Sequence, residues 1–152
     1  MADVWIINLK DFRDEPNNDD KKFNICMRNN IIAIGWGTKK SRREDNNYQI
    51  ANKALTNMTK GDYVWTKNPR TQTDYYLLSV IDDEPDDFLA KGYKIFLDED
   101  ISKARRVKLI AQFTDGNLPN GITAKDIIAG HTAEMVHVEK VINATLDYVA
   151  SF

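Results

Sequence analysis

A single cysteine stands among 152 residues, which excludes an internal disulfide and fits a reducing, cytoplasmic setting. That residue, Cys26, lies in the apolar stretch FNICM (23–27) and reads as a small core residue rather than a nucleophile. No apolar run approaches the roughly 20 residues of a membrane-spanning helix, so no membrane partner is expected. The N-terminal stretch MADVWIINLKDF lacks a basic flank, a long apolar stretch and a cleavage-like site, so no signal peptide is expected. Histidine is equally scarce. His131 and His137 stand six apart around an expected helix start, without the carboxylate–histidine spacing of a zinc site. There is no Ser–His–Asp order, nucleophile elbow or glycine-rich phosphate loop, and Gly-Trp-Gly lacks the later glycines of a dinucleotide fingerprint. These absences argue against an enzyme, a metal and a cofactor. Without repeats, low-complexity tracts or a Pro/Ser-rich linker, residues 1–152 read as one domain with one core.

The charge present is unevenly placed. The chain carries 21 Lys/Arg against 23 Asp/Glu, a net −2. Residues 36–72 hold eight basic against three acidic residues, 73–102 two against nine, and 103–113 four against none. The basic blocks are KKSRR (39–43) and KARRVK (103–108). Brought together by folding they make a positive patch; apart, they are two solvated surface segments. The acidic run 82–87 reads first as a solvated loop. Carboxylates also suit Mg²⁺ or Ca²⁺, but the spacing matches no EF-hand.

VWIINL (4–9) reads as a strand buried on both faces, FNICM as a short element, and IIAI (31–34) as a strand. YQIANKALTNM (48–58) sets Ile50, Ala54, Leu55 and Met58 on one side of a helix capped by Asn46 or Asn47. DYVWTK (62–67), DYYLLSVID (74–82), YKIFL (93–97) and ARRVKLIAQF (104–113) read as strands. In the last, Arg106 and Lys108 alternate with Val107 and Leu109. Thr123 and Asp126 form a capping box, and a C-terminal helix is expected over about 132–150 from the stripe Val138, Val141, Ile142, Leu146, Val149. This mixture, without βαβ alternation, predicts an α+β fold: a small curved sheet or barrel of five to six strands flanked by helices.

The segment IIAIGWG (31–37) sets Trp36 between Gly35 and Gly37. Either the indole turns back to cap a core, or it stands open as a wall for something flat. Glycines beside it let a planar ligand approach the backbone.

The order IIAIGWG (31–37), MTKGDYVWTK (58–67), YYLLSVID (75–82), ARRVKLI (104–110) and AGHTAEMV (129–136) resembles the PUA-like superfamily, and within it the EVE-type domains, related in fold to YTH and ASCH domains. The resemblance spans about residues 4–136. It implies a small β-barrel with a pocket for one extruded base. It makes Trp36 one wall of that pocket, with Gly35 and Gly37 beside it. Trp65 and Tyr75 or Tyr76 are candidates for the second wall, although strand alternation by itself favours the core for Trp65. Asp82 or Asp83 could accept from an exocyclic amine. Lys39, Lys40, Arg42, Arg43, Arg105 and Arg106 could hold phosphates, which position a nucleic acid without specifying it. The tryptophan that YTH domains carry after the central strands is replaced here by DDEPDD (82–87).

The expected function is a non-enzymatic module that recognises a modified base, methylated by the resemblance, in DNA or RNA. Fusion or association with a nuclease, as in restriction systems, would be its context. The alternative is a protein-interaction or regulatory domain in which the same motifs only build the fold and the acidic 82–100 region binds a partner. An enzyme acting on nucleic acid is the third reading.

Overall fold

The structure is a computed structural model that describes residues 2–10, 20–35, 46–97, 101–128 and 132–152. Its strands are β1 (Val4–Ile7), β2 (Ile31–Ile34), β3 (Tyr63–Lys67), β4 (Asp74–Val80), β5 (Asp86–Asp87), β6 (Lys103–Thr114) and β7 (Ala133–Met135). Its helices are α1 (Lys21–Arg28), α2 (Asn46–Asn57), the short α3 (Phe88–Lys91) and α4 (Lys94–Leu97), and α5 (Glu139–Ala150).

Six strands pair in the order β2–β6–β4–β3–β1–β7, and β5 adds to β6. Only β1 and β3 run parallel. The sheet curls because β6 changes partner along its length. Its first four residues pair with β2, and residues 107–114 with β4. Between them a bulge sets Leu78 opposite Leu109 and Leu77 opposite Ala111, leaving Ile110 without a cross-strand partner. The result is a half-barrel, as expected for a small α+β curved-sheet fold. Helix α2 packs against both edge strands, β2 and β7, and so fills the open side.

Both faces of the sheet are covered. On the inner face Trp5, Ile7, Val64, Leu78, Val80 and Val107 meet α1 through Phe23 and Cys26, and α2 through Ala51, Ala54, Leu55 and Met58. On the outer face Val4, Ile6, Trp65, Tyr75, Leu77 and Phe113 meet Val141 of α5 and Ile127 of a 3-10 turn. Two-residue alternation along β1, β3 and β4 sorts these side chains to the two cores. The turn at Ala124–Ile127 carries the Thr123–Asp126 capping box read from the sequence, with Thr123 N donating to Asp126 Oδ2 at 2.8 Å.

Three expectations change. YKIFL is no strand: Tyr93 follows Gly92 at φ +68° and leads into α4. The C-terminal helix starts at Glu139, because residues 133–135 form β7 against β1 and Val138 stays exposed. Asn46 and Asn47 lie within the first turn of α2 rather than before it.

The Lys60-Gly61-Asp62 turn is a structural junction. Gly61 takes φ +95°, a region that favours glycine. That places the buried Asp62 carboxylate to accept from Asp3 N at 3.0 Å, Trp5 Nε1 at 2.9 Å, Thr59 N at 2.9 Å and Thr59 Oγ1 at 3.0 Å. One side chain thus ties β1, the end of α2 and the start of β3. Asp62→Ala leaves buried donors unmatched and is expected to cost about 3 kcal/mol. Urea unfolding measures it, and a loss under about 1 kcal/mol would contradict the role.

Candidate nucleic-acid interface

The residues singled out from the sequence separate into three groups. Trp36, Gly37, Lys39, Lys40, Arg42 and Arg43 lie outside the described residues. Trp65 and Tyr76 lie well away from the IGWG strand end. Gly35, Asp82, Arg105 and Arg106 gather around the first residues of β6.

Trp65 belongs to the core. It is 0% exposed, stacks obliquely on Phe113 with centroids 5.5 Å apart, and donates its indole N–H to Thr145 Oγ1 of α5 at 3.0 Å. A wall for an incoming base needs a free ring face, and this ring has none, so the strand alternation outranks the resemblance here. Tyr76 points to the inner face, where its ring meets Phe23 at 5.2 Å. Its hydroxyl accepts a long contact of 3.4 Å from Gln112 Nε2. Gln112 lies ten positions along β6 from Ser102, on the order of 30 Å of strand. Ser102 marks the Gly35 end, since its hydroxyl donates to Gly35 O at 2.9 Å.

Arg105 is likewise no phosphate ligand. Its side chain is 0% exposed. Nε donates to Asp82 Oδ1 at 2.8 Å, one terminal nitrogen to Asp82 O at 3.1 Å, and the other to Leu55 O at 2.7 Å and to Met58 O. The guanidinium therefore caps the C-terminal end of α2, where helix carbonyls favour a cation. Asp82 is committed as well, because its second oxygen accepts from Arg106 N at 2.8 Å. A base amine would have to displace one of these bonds.

The acidic run 82–87 is also not a free loop. It folds back along the basic strand, and β5 sets Asp86 opposite Ala104 and Asp87 opposite Lys103. Asp86 bridges Lys91 Nζ at 2.8 Å and Arg106 Nε at 3.1 Å. The lysine hydrogen bond, helped by the Arg106 charge, holds the Asp86 carboxyl below its usual range. Arg106 keeps 62% of its side chain exposed and remains within reach of a phosphate.

One aromatic escaped the sequence reading. Tyr93 is 48% exposed, packs on Phe88 with centroids 5.7 Å apart, and has Lys91 Nζ 5.9 Å from its ring. Phe88 N donates to Ser102 O, and Ser102 N to Ile34 O, so this ring lies close to where β2 ends. The signal was available: KGYK (91–94), like IGWG, sets an aromatic after a glycine. Expecting a strand there hid it.

Among the described residues, two small clefts open elsewhere. One of about 70 Å³ is lined by Cys26, Met27, Asn30, Leu78, Val107 and Leu109. Another of about 70 Å³ lies among Ile6, Ile7, Asn8, Lys67, Ile127 and Ile128. Both fall well short of the roughly 300 Å³ at which small-molecule pockets begin. Among the described residues no cluster of His, Cys, Asp and Glu could hold a metal, and no helix is long and apolar enough to cross a membrane. No protein-family model, curated protein or solved structure matches the chain.

Two outcomes test this geometry. Arg105→Met strands the Asp82 carboxylate and two helix carbonyls, and is expected to lower stability by about 3–5 kcal/mol in urea unfolding. A wild-type-like midpoint would remove Arg105 from its central place. Burial pushes the Cys26 thiol up to about 12. The native protein should therefore resist a thiol reagent at neutral pH and react at the rate of an ordinary thiol once unfolded; fast native labelling would contradict the burial.

Proposed function

We propose that the protein is a non-enzymatic nucleic-acid-binding module that receives one modified base beside the strand end of IIAIGWG. The observation that carries this reading is the surface next to that strand end. An exposed aromatic ring, Tyr93, stands there with the exposed cations Lys91 and Arg106. Stacking on such a ring contributes about 1–3 kcal/mol per base and tolerates every base. Arg106 and Lys91 would carry phosphate contacts that fix position, while the pocket reads the base.

Chain connectivity adds support. Residues 36–45, with Trp36 and four Lys/Arg, join Gly35 to the start of α2. The first of these, Gly35, lies beside the start of β6, where the Ser102 hydroxyl donates to its carbonyl. Trp36 remains the first wall in this reading, with Gly35 beside it, and Tyr93 takes the place that Trp65 and Tyr76 do not fill. Asp82 serves the fold. The buried Cys26 suits a reducing compartment such as the cytoplasm.

The test is a fluorescence titration with short DNA and RNA oligonucleotides. They carry cytosine, 5-methylcytosine, 5-hydroxymethylcytosine, adenine or methylated adenine, at low and then moderate salt. Quenching that depends on the modification, survives moderate salt and weakens at least about tenfold in Trp36→Ala and in Tyr93→Ala is expected, since each wall is worth a stacking contact. Binding that salt removes equally for every oligonucleotide, or no binding, would overturn the reading.

A further inference from the structure

Lys103 opens β6, directly opposite Ile34 of β2 on one side and Asp87 of β5 on the other. Its amine turns to α2. Nζ lies 2.6 Å from Asn52 Oδ1 and 2.9 Å from Thr56 Oγ1. Both acceptors are neutral. Thr56 Oγ1 spends its own proton on Asn52 O at 2.8 Å, so it meets the lysine with lone pairs. An ammonium carries three protons, and these two acceptors use two. The grip fixes a long, flexible side chain in advance, so a third partner would meet it already ordered.

The electrostatic setting is short of negative charge at the amine itself. Burial and the neighbouring Arg105 disfavour the charged form, Asp87 across the strand favours it, and the balance holds Lys103 below the usual lysine range. An arriving anion would reverse that balance. The site also lies where the chain leaves β2 for residues 36–45. Ile34, its partner in β2, precedes Gly35 by one residue. Asn52 is six residues into α2 from Asn46, about 9 Å along the helix. The segment brings Lys39, Lys40, Arg42 and Arg43, with Glu44 and Asp45 as its only acids.

We infer that Lys103, gripped by Asn52 and Thr56, is a phosphate-binding residue at the mouth of the half-barrel, a role that rests on the nucleic-acid function proposed above. The chemistry recognised is a phosphoryl group, whether in a nucleic-acid backbone or in a free nucleotide. Arg105, two positions on, is locked into the fold; among the described residues, Lys103 is the cation of this inner face that a ligand can reach.

The experiment compares wild type, Lys103→Gln and Lys103→Arg. Oligonucleotide and mononucleotide affinities are measured against salt, with thermal melting as the control for folding. Lys103→Gln should bind an oligonucleotide about tenfold more weakly, the worth of one charge-assisted hydrogen bond. Its plot of log affinity against log salt should be shallower by about 0.7, one single-strand phosphate contact, and Lys103→Arg should restore the slope. Weaker binding with an unchanged slope would make Lys103 structural and overturn the inference while leaving the proposed function standing. If wild type binds no oligonucleotide, that function fails, and titration with inorganic phosphate and pyrophosphate decides for Lys103. The Lys103 Nζ and Cε resonances should then shift saturably; unmoved resonances would overturn the inference, and the same measurement decides if Lys103→Gln does not fold. A mononucleotide that matches the oligonucleotide in affinity would identify the free nucleotide as the source of the phosphate.

Discussion

The guanidinium of Arg105 holds together the three parts of the chain that form the mouth of the half-barrel. It lies on the inner face of β6, between the C-terminal end of α2 and the corner that follows β4. A buried charge is tolerated only when it is paired and its donors are matched. Here one carboxylate and three carbonyl oxygens match them. In return the interaction fixes the angle at which α2 crosses the open side of the sheet. The position of Asn52 and Thr56, and through them of the Lys103 amine, depends on that angle.

The distribution of charge takes a different meaning once the strands are paired. Acidic residues 82–87 and basic residues 103–108 look like two separate surfaces along the chain. In the structure they are one element: Asp82 bonds to Arg105 and to the amide of Arg106, and Asp86 to Arg106 and Lys91. The pairs of Asp86 with the exposed Lys91 and Arg106 contribute little to stability, a fraction of a kcal/mol each. Their larger effect is on what remains available. Of the four cations of β6, Arg105 is committed to the core, Arg106 is shared with a carboxylate and Lys103 is held by neutral oxygens. A count of Lys and Arg could not distinguish these three environments.

Local patterns carried most of the fold. Short apolar runs marked β1 and β2, strand composition and turn signals marked β3 and β4, alternation marked β6, and the stripe at Ala54, Leu55 and Met58 marked α2, because these patterns reflect burial directly. Two kinds of feature were not legible. The segment YKIFL has the composition of a strand, but Gly92 in a left-handed conformation and the Phe88–Phe96 stack at 4.4 Å fold it into helical turns. AEM is too short to show any period, and only pairing with β1, more than 120 residues earlier, makes it a strand. For the site, proximity in the chain misled: Trp65 follows the KGD turn closely but faces α5. Tyr93 packs on Phe88, which is tied through Ser102 to the end of β2.

The place of β1 in the sheet has a consequence for how the chain acquires its structure. This strand lies between β3, about 60 residues later, and β7, about 130 residues later. During synthesis it must wait for both. Long-range strand pairings of this kind slow folding, because loop closure precedes any gain from contact. Until residues 133–135 emerge, one hydrogen-bonding edge of an almost wholly apolar strand stays uncovered, a template for unwanted pairing between nascent chains. Completion of the domain on the ribosome is therefore a late event, set by its last strand rather than by its first.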